Sequence, residues 1–253
     1  MPFSERFHTI AAWVEIGLAA VTFASLFFIV APYGRHTRAG WGASMSQRLG
    51  WVVMESPAFF GFLALFLMGP HAREPVPVAL AALWLTHYAQ RTFVFPARIR
   101  AKDKRTPVAI VATAFGYNIL NAVVCAPSAS AFEARDAAWL ADPRFIVGAA
   151  LFVAGFIGNV VCDEQLRRLR AVGDTTYRVP RGGLFELVSS PNYLCEIVEW
   201  SGWALASFSL GGLAFALYTI ANLAPRARSN HAWYRERFPD YPAGRKALVP
   251  FLW

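Results

Sequence analysis

Apolar segments of near-membrane length alternate with short polar segments along the whole chain. An α-helix needs about 20 mainly apolar residues to cross a bilayer, and most of these segments approach that length. The last two segments are short, and the Gly211-Gly212 pair between them predicts a tight turn. No repeat or low-complexity tract divides the chain, so one domain, residues 1–253, is expected. The pattern predicts an all-α integral membrane protein with seven transmembrane helices, at about 10–32, 50–69, 76–97, 107–126, 145–162, 195–209 and 212–225.

Composition supports a membrane protein. Hydrophobic residues make up 56% of the chain and charged residues only 16%, against about 25% in soluble proteins. The mean hydropathy of +0.38 agrees with this. The first apolar segment reaches full length without a small-residue cleavage pattern, so we expect a helix there and not a cleaved signal peptide.

Positive charge is distributed unevenly among the connections. Nineteen of the 24 lysines and arginines lie at 31–49, 98–106, 163–194 or after 225. Cytoplasmic loops are enriched in Lys and Arg, so these connections and the C-terminus are predicted to be cytoplasmic and the N-terminus outside. A net charge of +8 concentrated on one face fits lipid headgroups or a phosphorylated ligand better than nucleic acid.

Two predicted helices carry ionisable side chains within apolar sequence. Glu55 lies in the second segment, and His87, Tyr88 and Arg91 lie in the third at helical spacing. Such side chains are expensive in hydrocarbon, so they are expected to face the protein interior and serve a site. Each one alone fits an interhelical hydrogen bond equally well, but their occurrence together favours a site.

The third basic connection has the densest polar pattern. Asn159, Asp163 and Arg170 fall near one face of a helix that leaves the membrane. Arginine can bind phosphate through paired hydrogen bonds, and Asn or acid side chains can bind ribose hydroxyls or a carboxamide. For the outermost arginines the alternative is a basic rim against anionic lipid. Neither glycine-rich nucleotide-binding motif of soluble folds occurs, so the ligand would bind in a polar pocket of a membrane protein.

The three cysteines carry no recognisable metal or disulfide pattern. Cys125, Cys162 and Cys195 lie in apolar segments, without CxxC or Cys/His ligand spacing. They are expected to be small buried residues, and no metal is expected.

Five stretches of sequence resemble one enzyme family. They are YGRHT after the first segment, VMESP in the second, THYAQRTFVFP in the third, and the C-terminal runs YRVPRGGLFELVSSPNYLCEIVEW and ARSNHAWYRERFPDYPAGRKALVPFLW. In these stretches the chain resembles the steroid 5-alpha-reductase family. Sterol reductases, enoyl-CoA reductases and isoprenylcysteine-type methyltransferases share the C-terminal elements, and the pairing of ESP with HYxxRTF narrows the choice.

The resemblance implies an enzyme that reduces the 4,5 double bond of 3-oxo-Δ4 steroids with NADPH. Hydride would add to C5 while Glu55 and Tyr88 polarise the 3-carbonyl, and Trp51 would form a wall of the steroid pocket. Segments 163–194 and 226–253 would cover the cofactor on the cytoplasmic side. The cofactor-binding positions that the resemblance implies are Tyr33, Arg100, Asn159, Asp163, Arg170, Tyr177, Arg178, Asn192, Glu196, Arg226, Asn230, Tyr234 and Arg245.

The chain departs from the family pattern at three positions. Cys195 stands where a glycine is usual, Asn230 where a histidine is common, and Met54 where a polar residue precedes the glutamate. These differences bear on cofactor affinity and substrate preference more than on the reaction. We expect a monomer in a bacterial inner membrane, in contact with lipid and acting on a steroid or another hydrophobic enone.

Two other functions stay open at this point. An isoprenylcysteine-type methyltransferase would use S-adenosylmethionine, which has no 2′-phosphate and less need of clustered arginines. A non-enzymatic sterol-binding membrane protein would explain the aromatic content of 15%, but not the shared stripe of Asn159, Asp163 and Arg170.

Overall fold

The chain folds into a helical bundle. A computed structural model describes residues 2, 4–30, 32, 34–36, 38, 40–100, 104–171, 174 and 176–253. The α-helices are α1 (Glu5–Phe28), α2 (Gln47–Ser56), α3 (Phe62–Leu67), α4 (Pro75–Ala89), α5 (Phe95–Arg98), α6 (Val108–Pro127), α7 (Pro143–Arg168), α8 (Pro191–Ser207) and α9 (Leu210–Arg237). Wide π-helical turns join α2 to α3, join α4 to α5 and lengthen α6, at Pro57–Gly61, Gln90–Val94 and Ser128–Phe132. The described helices therefore make seven rods in the predicted order.

Four of the described helical rods are long and apolar enough to cross a membrane. They are Glu5–Phe28, Gln47–Leu67, Val108–Phe132 and Pro143–Arg168. The all-α class and the membrane character of the prediction are confirmed. The count of seven spans, the outer N-terminus and the cytoplasmic C-terminus stay predictions.

A short antiparallel ribbon connects two of the basic connections. Strand β1 (Ser44–Ser46) pairs with β2 (Arg105–Pro107), with Ser44 opposite Pro107. These strands lie directly before α2 and α6. Residues 44–46 and 105–107, at the ends of the connections at 31–49 and 98–106, therefore lie together at one end of the bundle.

Glycines allow α7 and α8 to pack closely in antiparallel orientation. A Cβ added at Gly155 would lie 2.5 Å from the backbone nitrogen of Glu199, and one at Gly148 would lie 2.5 Å from that of Ala206. Small residues let helix backbones approach in a membrane, where van der Waals packing drives helix association. This contact fixes the acidic side chains of α8 beside α7.

The turn between α8 and α9 lies at Phe208 and Ser209, so its predicted position at Gly211-Gly212 is wrong. Phe208 has a left-handed φ of 46°, and the Ser209 hydroxyl caps α9 by accepting the Gly212 N–H at 3.0 Å. Both glycines lie in the first turn of α9, where a Cβ at Gly211 would lie 2.3 Å from Ser128 Oγ. The glycine pair serves close helix packing, and α9 continues well past the predicted end at 225.

Aromatic side chains pack tightly in the centre of the bundle. The Trp84 ring lies 4.5 Å from that of Phe62 and 5.1 Å from that of Trp200, centroid to centroid. The Trp84 indole N–H donates to the Ala58 carbonyl at 2.8 Å, so this buried polar atom is satisfied. Trp200 of this cluster also lines the cavity described below.

Candidate active site

A cavity of about 540 Å³ extends between the helices. This volume lies within the roughly 300–1,000 Å³ that is usual for ligand pockets. It reaches from α2 and α4 inside the bundle to the connection that follows α7. The predicted site residues that line it are Trp51, Glu55, Tyr88, Arg100, Asp163, Arg170, Tyr177, Arg178, Asn192, Glu196, Arg226, Asn230 and Tyr234. The structure thus brings both predicted sets, for substrate and for cofactor, into one space.

Two predicted positions that the structure describes, Asn159 and Arg245, do not line the cavity. Asn159 is buried behind it, where its amide donates to the Asn192 carbonyl at 3.0 Å and to Glu196 Oε2 at 3.2 Å. Arg245 is also buried, and it donates to the Pro180 carbonyl at 3.0 Å. Both orient segments that do line the cavity. Tyr33 lies outside the described residues.

Glu55 and Tyr88 both face the inner part of the cavity. Asn118 on α6 donates to Glu55 Oε2 at 3.2 Å and to the Met54 carbonyl at 2.6 Å, which holds the carboxyl in place. Asn121, one turn further along α6, donates to the Tyr88 hydroxyl oxygen at 3.5 Å. Because that amide uses an acceptor site of the phenol, the hydroxyl hydrogen can point toward a ligand.

The neighbours of Tyr88 pair with acids on other helices. His87 Nδ1 lies 2.7 Å from Glu199 Oε1, and both side chains are buried. Arg91 Nη1 donates to Asp163 Oδ2 at 3.2 Å. The Arg91 guanidinium also lies 4.5 Å over the Trp51 ring. The predicted stripe on α7 is thereby connected to the inner part of the cavity through Arg91.

Asp163 and Asn192 join α7 to α8 at the cavity wall. The Asn192 amide donates to Asp163 Oδ1 at 3.1 Å, while Arg91 occupies the other carboxylate oxygen. Glu196 lies one turn after Asn192 on α8 and receives the Asn159 amide. The result is a set of fixed acceptors and amides suited to hydroxyl or carboxamide groups of a ligand.

Cationic side chains surround Tyr177 at the other end of the cavity. The Arg170 guanidinium lies 4.4 Å over the Tyr177 ring, and Lys104 Nζ donates to the Tyr177 hydroxyl at 3.0 Å. Arg100 donates to the Arg170 carbonyl at 2.7 Å. This concentration of positive charge around an aromatic ring suits an anionic ligand with a planar group.

The connection after α1 adds two cavity residues that the sequence analysis missed. The Arg35 guanidinium lies 4.5 Å over the Tyr234 ring, and His36 Nε2 lies 3.1 Å from Asn230 Oδ1. Burial lowers the pKa of the His36 imidazole below its ordinary value, which keeps it neutral near pH 7. Both belong to the YGRHT stretch, from which only the tyrosine was selected.

A second acid–phenol pair, also missed, lies between α1 and α6. The Tyr117 hydroxyl donates to Glu15 Oε1 at 2.7 Å, and Glu15 is fully buried. Tyr117 stacks on Tyr218 with ring centroids 3.7 Å apart, and both rings line the cavity. Glu15 is an isolated acid in the apolar first segment, and this position could have identified it as a candidate site residue from the sequence.

Comparison with known proteins assigns the family. The sequence profile of 3-oxo-5-alpha-steroid 4-dehydrogenases matches residues 104–253, more than half of the chain. The chain belongs to this family. Steroid 5-alpha-reductase DET2 from Gossypium hirsutum is 43% identical over 244 residues, 93% of either chain. 3-oxo-5-alpha-steroid 4-dehydrogenase 1 from Bos taurus is 41% identical and covers 100% of both chains.

Membership in this oxidoreductase family confirms the resemblance seen in the sequence. The Homo sapiens 3-oxo-5-alpha-steroid 4-dehydrogenase 1 is 36% identical over 98% of this chain and 96% of its own. Because these relatives come from plants and animals, they do not support the expected bacterial inner membrane.

Proposed function

We propose that the protein reduces the 4,5 double bond of 3-oxo-Δ4 steroids with NADPH. The observation that carries the proposal is that Glu55 and Tyr88 line the same cavity as a cationic, amide-rich region. Membership in a family whose relatives are named steroid 5-alpha-reductases supports the substrate class.

Glu55 and Tyr88 are proposed to stabilise the reaction at the 3-carbonyl. When the β-carbon of an enone accepts hydride, negative charge develops on the carbonyl oxygen. In this proposal Glu55 acts as a protonated carboxyl, and it and the Tyr88 hydroxyl would donate to that oxygen more strongly as its charge grows, which lowers the barrier. Asn118 and Asn121 hold the two donors so that little reorganisation is needed.

The cationic end of the cavity fits a phosphorylated nicotinamide dinucleotide. Arg35, Arg170, Arg178 and Arg226 all line it, and the 2′-phosphate of NADPH can accept their hydrogen bonds. NADPH, when bound, supplies the hydride that adds to C5. Asn192 and Glu196 lie between the arginines and Tyr88 along the wall of α8 and would hold the carboxamide or ribose.

The two alternative functions explain fewer of these features. S-adenosylmethionine carries no phosphate, so a methyltransferase would not need the arginines that line the cavity. A protein that only binds sterol would have no use for the Asp163, Asn192 and Arg91 network. The family assignment also favours the reductase.

Steady-state kinetics of the reduction of a 3-oxo-Δ4 steroid test the roles of Glu55 and Tyr88. Glu55→Gln and Tyr88→Phe should each lower kcat by roughly 10²–10³, as loss of an oxyanion donor does, with NADPH affinity nearly unchanged. The double variant should lose less than the product of the single effects, because both donors act on one oxygen. Glu74→Gln, at a half-buried glutamate that pairs with His71 outside the cavity lining, is the matched control. If both single variants reduce the steroid at the wild-type rate, Glu55 and Tyr88 have a structural role and not a catalytic one.

A further inference from the structure

The last eight residues form a compact apolar hook, residues 246–253. The hook begins at a backbone ladder with the segment before α8, where Lys246 N donates to the Leu187 carbonyl at 2.9 Å and Ser189 N donates to the Lys246 carbonyl at 2.8 Å. Its end folds back, because the Leu248 N–H donates to the Trp253 carbonyl at 2.9 Å. The hook is therefore a defined structure held by backbone hydrogen bonds.

One side of the hook is attached to the helices. Leu248 is buried and clusters with Ala224 and Ala227 of α9, and Leu194 and Ile197 of α8 pack against this cluster. The opposite side is bare: Phe251 and Leu252 are each 80% exposed. Removing apolar surface from water is favourable by about 25 cal/mol per Å², so a partner that covers these two side chains would be stabilising.

The neighbours of Leu248 give the level of the hook along the bundle. Leu194 and Ile197 flank Cys195, and a Cβ at Gly158 of α7 would lie 2.6 Å from the Cys195 sulfur. Gly158 lies within the candidate span Pro143–Arg168, five residues before Asp163, or about 8 Å along the helix at about 1.5 Å per residue. Leu248 of the hook thus packs on α8 and α9 near the level of Gly158, in the half of the α7 span that ends in Arg167 and Arg168.

We propose that the hook inserts Phe251 and Leu252 into the adjacent membrane leaflet, at the boundary between headgroups and acyl chains. Exposed Leu184 and Leu187 beside the ladder extend the same apolar surface. Exposed Arg228 on α9 has its guanidinium 5.3 Å from the Phe27 ring of α1 and supplies a cation for lipid phosphate near the hook. Apolar side chains with flanking cations are typical of segments that lie in the membrane interface.

Insertion would also brace the wall of the cavity. The neighbouring Arg245 donates to the Pro180 carbonyl at 3.0 Å and to Glu186 Oε2 at 3.2 Å. The segment that holds Pro180 follows Tyr177 and Arg178, which line the cavity. A hook anchored in lipid would therefore hold the segment at 176–180, which borders the cationic end of the cavity, close to the bilayer. The membrane contact itself does not depend on the proposed reaction.

Site-directed spin labelling of the full chain in phosphatidylcholine–phosphatidylglycerol vesicles tests insertion. A nitroxide is attached at Leu252→Cys, and its collision rates with oxygen and with a water-soluble nickel chelate are measured. Val153→Cys, 46% exposed in the middle of α7, is the lipid reference, and Glu236→Cys at the exposed end of α9 is the aqueous reference. The native cysteines are buried, and protein without the new cysteine gives the labelling background.

If the hook is inserted, the Leu252→Cys label should collide more with oxygen and less with the nickel chelate than the Glu236→Cys label. Its depth should lie between those of the two reference labels. Equal values at positions 252 and 236 would place the hook in water and overturn the proposal. Low collision rates with both agents would also overturn it, because the hook would then be covered by protein, such as a second copy of the chain.

Discussion

The buried Glu15 carboxyl has one oxygen bonded to Tyr117 and one, Oε2, without a hydrogen-bond partner among the described residues. Tyr117→Phe removes the remaining donor and keeps the ring stacked on Tyr218. We expect the free energy of unfolding to fall by about 1–3 kcal/mol, the usual result of leaving a buried polar group unpaired. Chemical unfolding of the purified protein in detergent, followed by tryptophan fluorescence, measures this.

The double variant Glu15→Leu/Tyr117→Phe provides the control. Replacing both partners by apolar groups removes the unpaired carboxyl, so most of the lost stability should return. If the double variant is as unstable as Tyr117→Phe, the hydrogen bond is not the source of the effect.

Arg170 offers a residue-scale test of cofactor recognition. Arg170→Ala should weaken NADPH binding by about 1.5–3 kcal/mol, the value of a hydrogen bond to a charged group, and should affect NADH less. Arg168→Ala is the matched control, because the Arg168 side chain is 73% exposed and lies outside the cavity lining. Titration calorimetry gives both affinities. Equal binding of NADPH and NADH by the wild-type protein would argue against a 2′-phosphate site.

Site residues could be predicted where their chemistry is unusual for their position. Glu55 and Arg91 stand out because ionisable groups are rare in apolar segments, and both line the cavity. Glu15 obeys the same rule, but its partner Tyr117 lies 102 residues away and nothing local connects them. The bond between His36 and Asn230, 194 residues apart, is equally invisible before the chain folds.

At the scale of elements, the contact between α7 and α8 depends on glycine. Gly155→Ala should lower the free energy of unfolding by about 1–3 kcal/mol, because the new methyl group meets backbone atoms that no side-chain rotation can move. Gly116→Ala on α6 is the matched control, since nothing lies within 4 Å of its Cβ position, and there alanine should stabilise by about 0.5–1 kcal/mol. Thermal unfolding in detergent compares the two. If the two substitutions change the thermal stability equally, the close contact between α7 and α8 does not make position 155 sensitive to an added methyl group.

Helices were predictable as elements, whereas their ends and interruptions were not. The apolar pattern located each of the seven described rods, because each rod contains a run of apolar residues that is several turns long. Gly211-Gly212 misled the analysis because glycine serves both turns and close helix contacts, and sequence alone does not distinguish these uses. The π-helical turns at Pro57–Gly61 and Gln90–Val94 lie inside continuous apolar segments, so the apolar pattern does not mark them.

The distribution of charge predicts the orientation of the whole molecule. A reporter after Trp253 and one in the connection near Lys104 should both be detected in the cytoplasm, and one before Met1 outside, because basic residues are retained on the cytoplasmic side. Accessibility of each tag to a membrane-impermeant reagent measures this in intact cells. A C-terminal tag detected outside would contradict the seven-span arrangement.

Tyr88 and Arg178 line the same cavity, and this has a consequence for inhibitor design. Under the proposed function, a steroid at the inner end and a nucleotide at the cationic end would share this cavity and be bound together during a turnover. One molecule that joins a 3-oxo steroid analogue to a phosphorylated nucleotide fragment could then occupy both halves at once. The second half would bind at the high effective concentration that the linker sets, which raises affinity without any new contact.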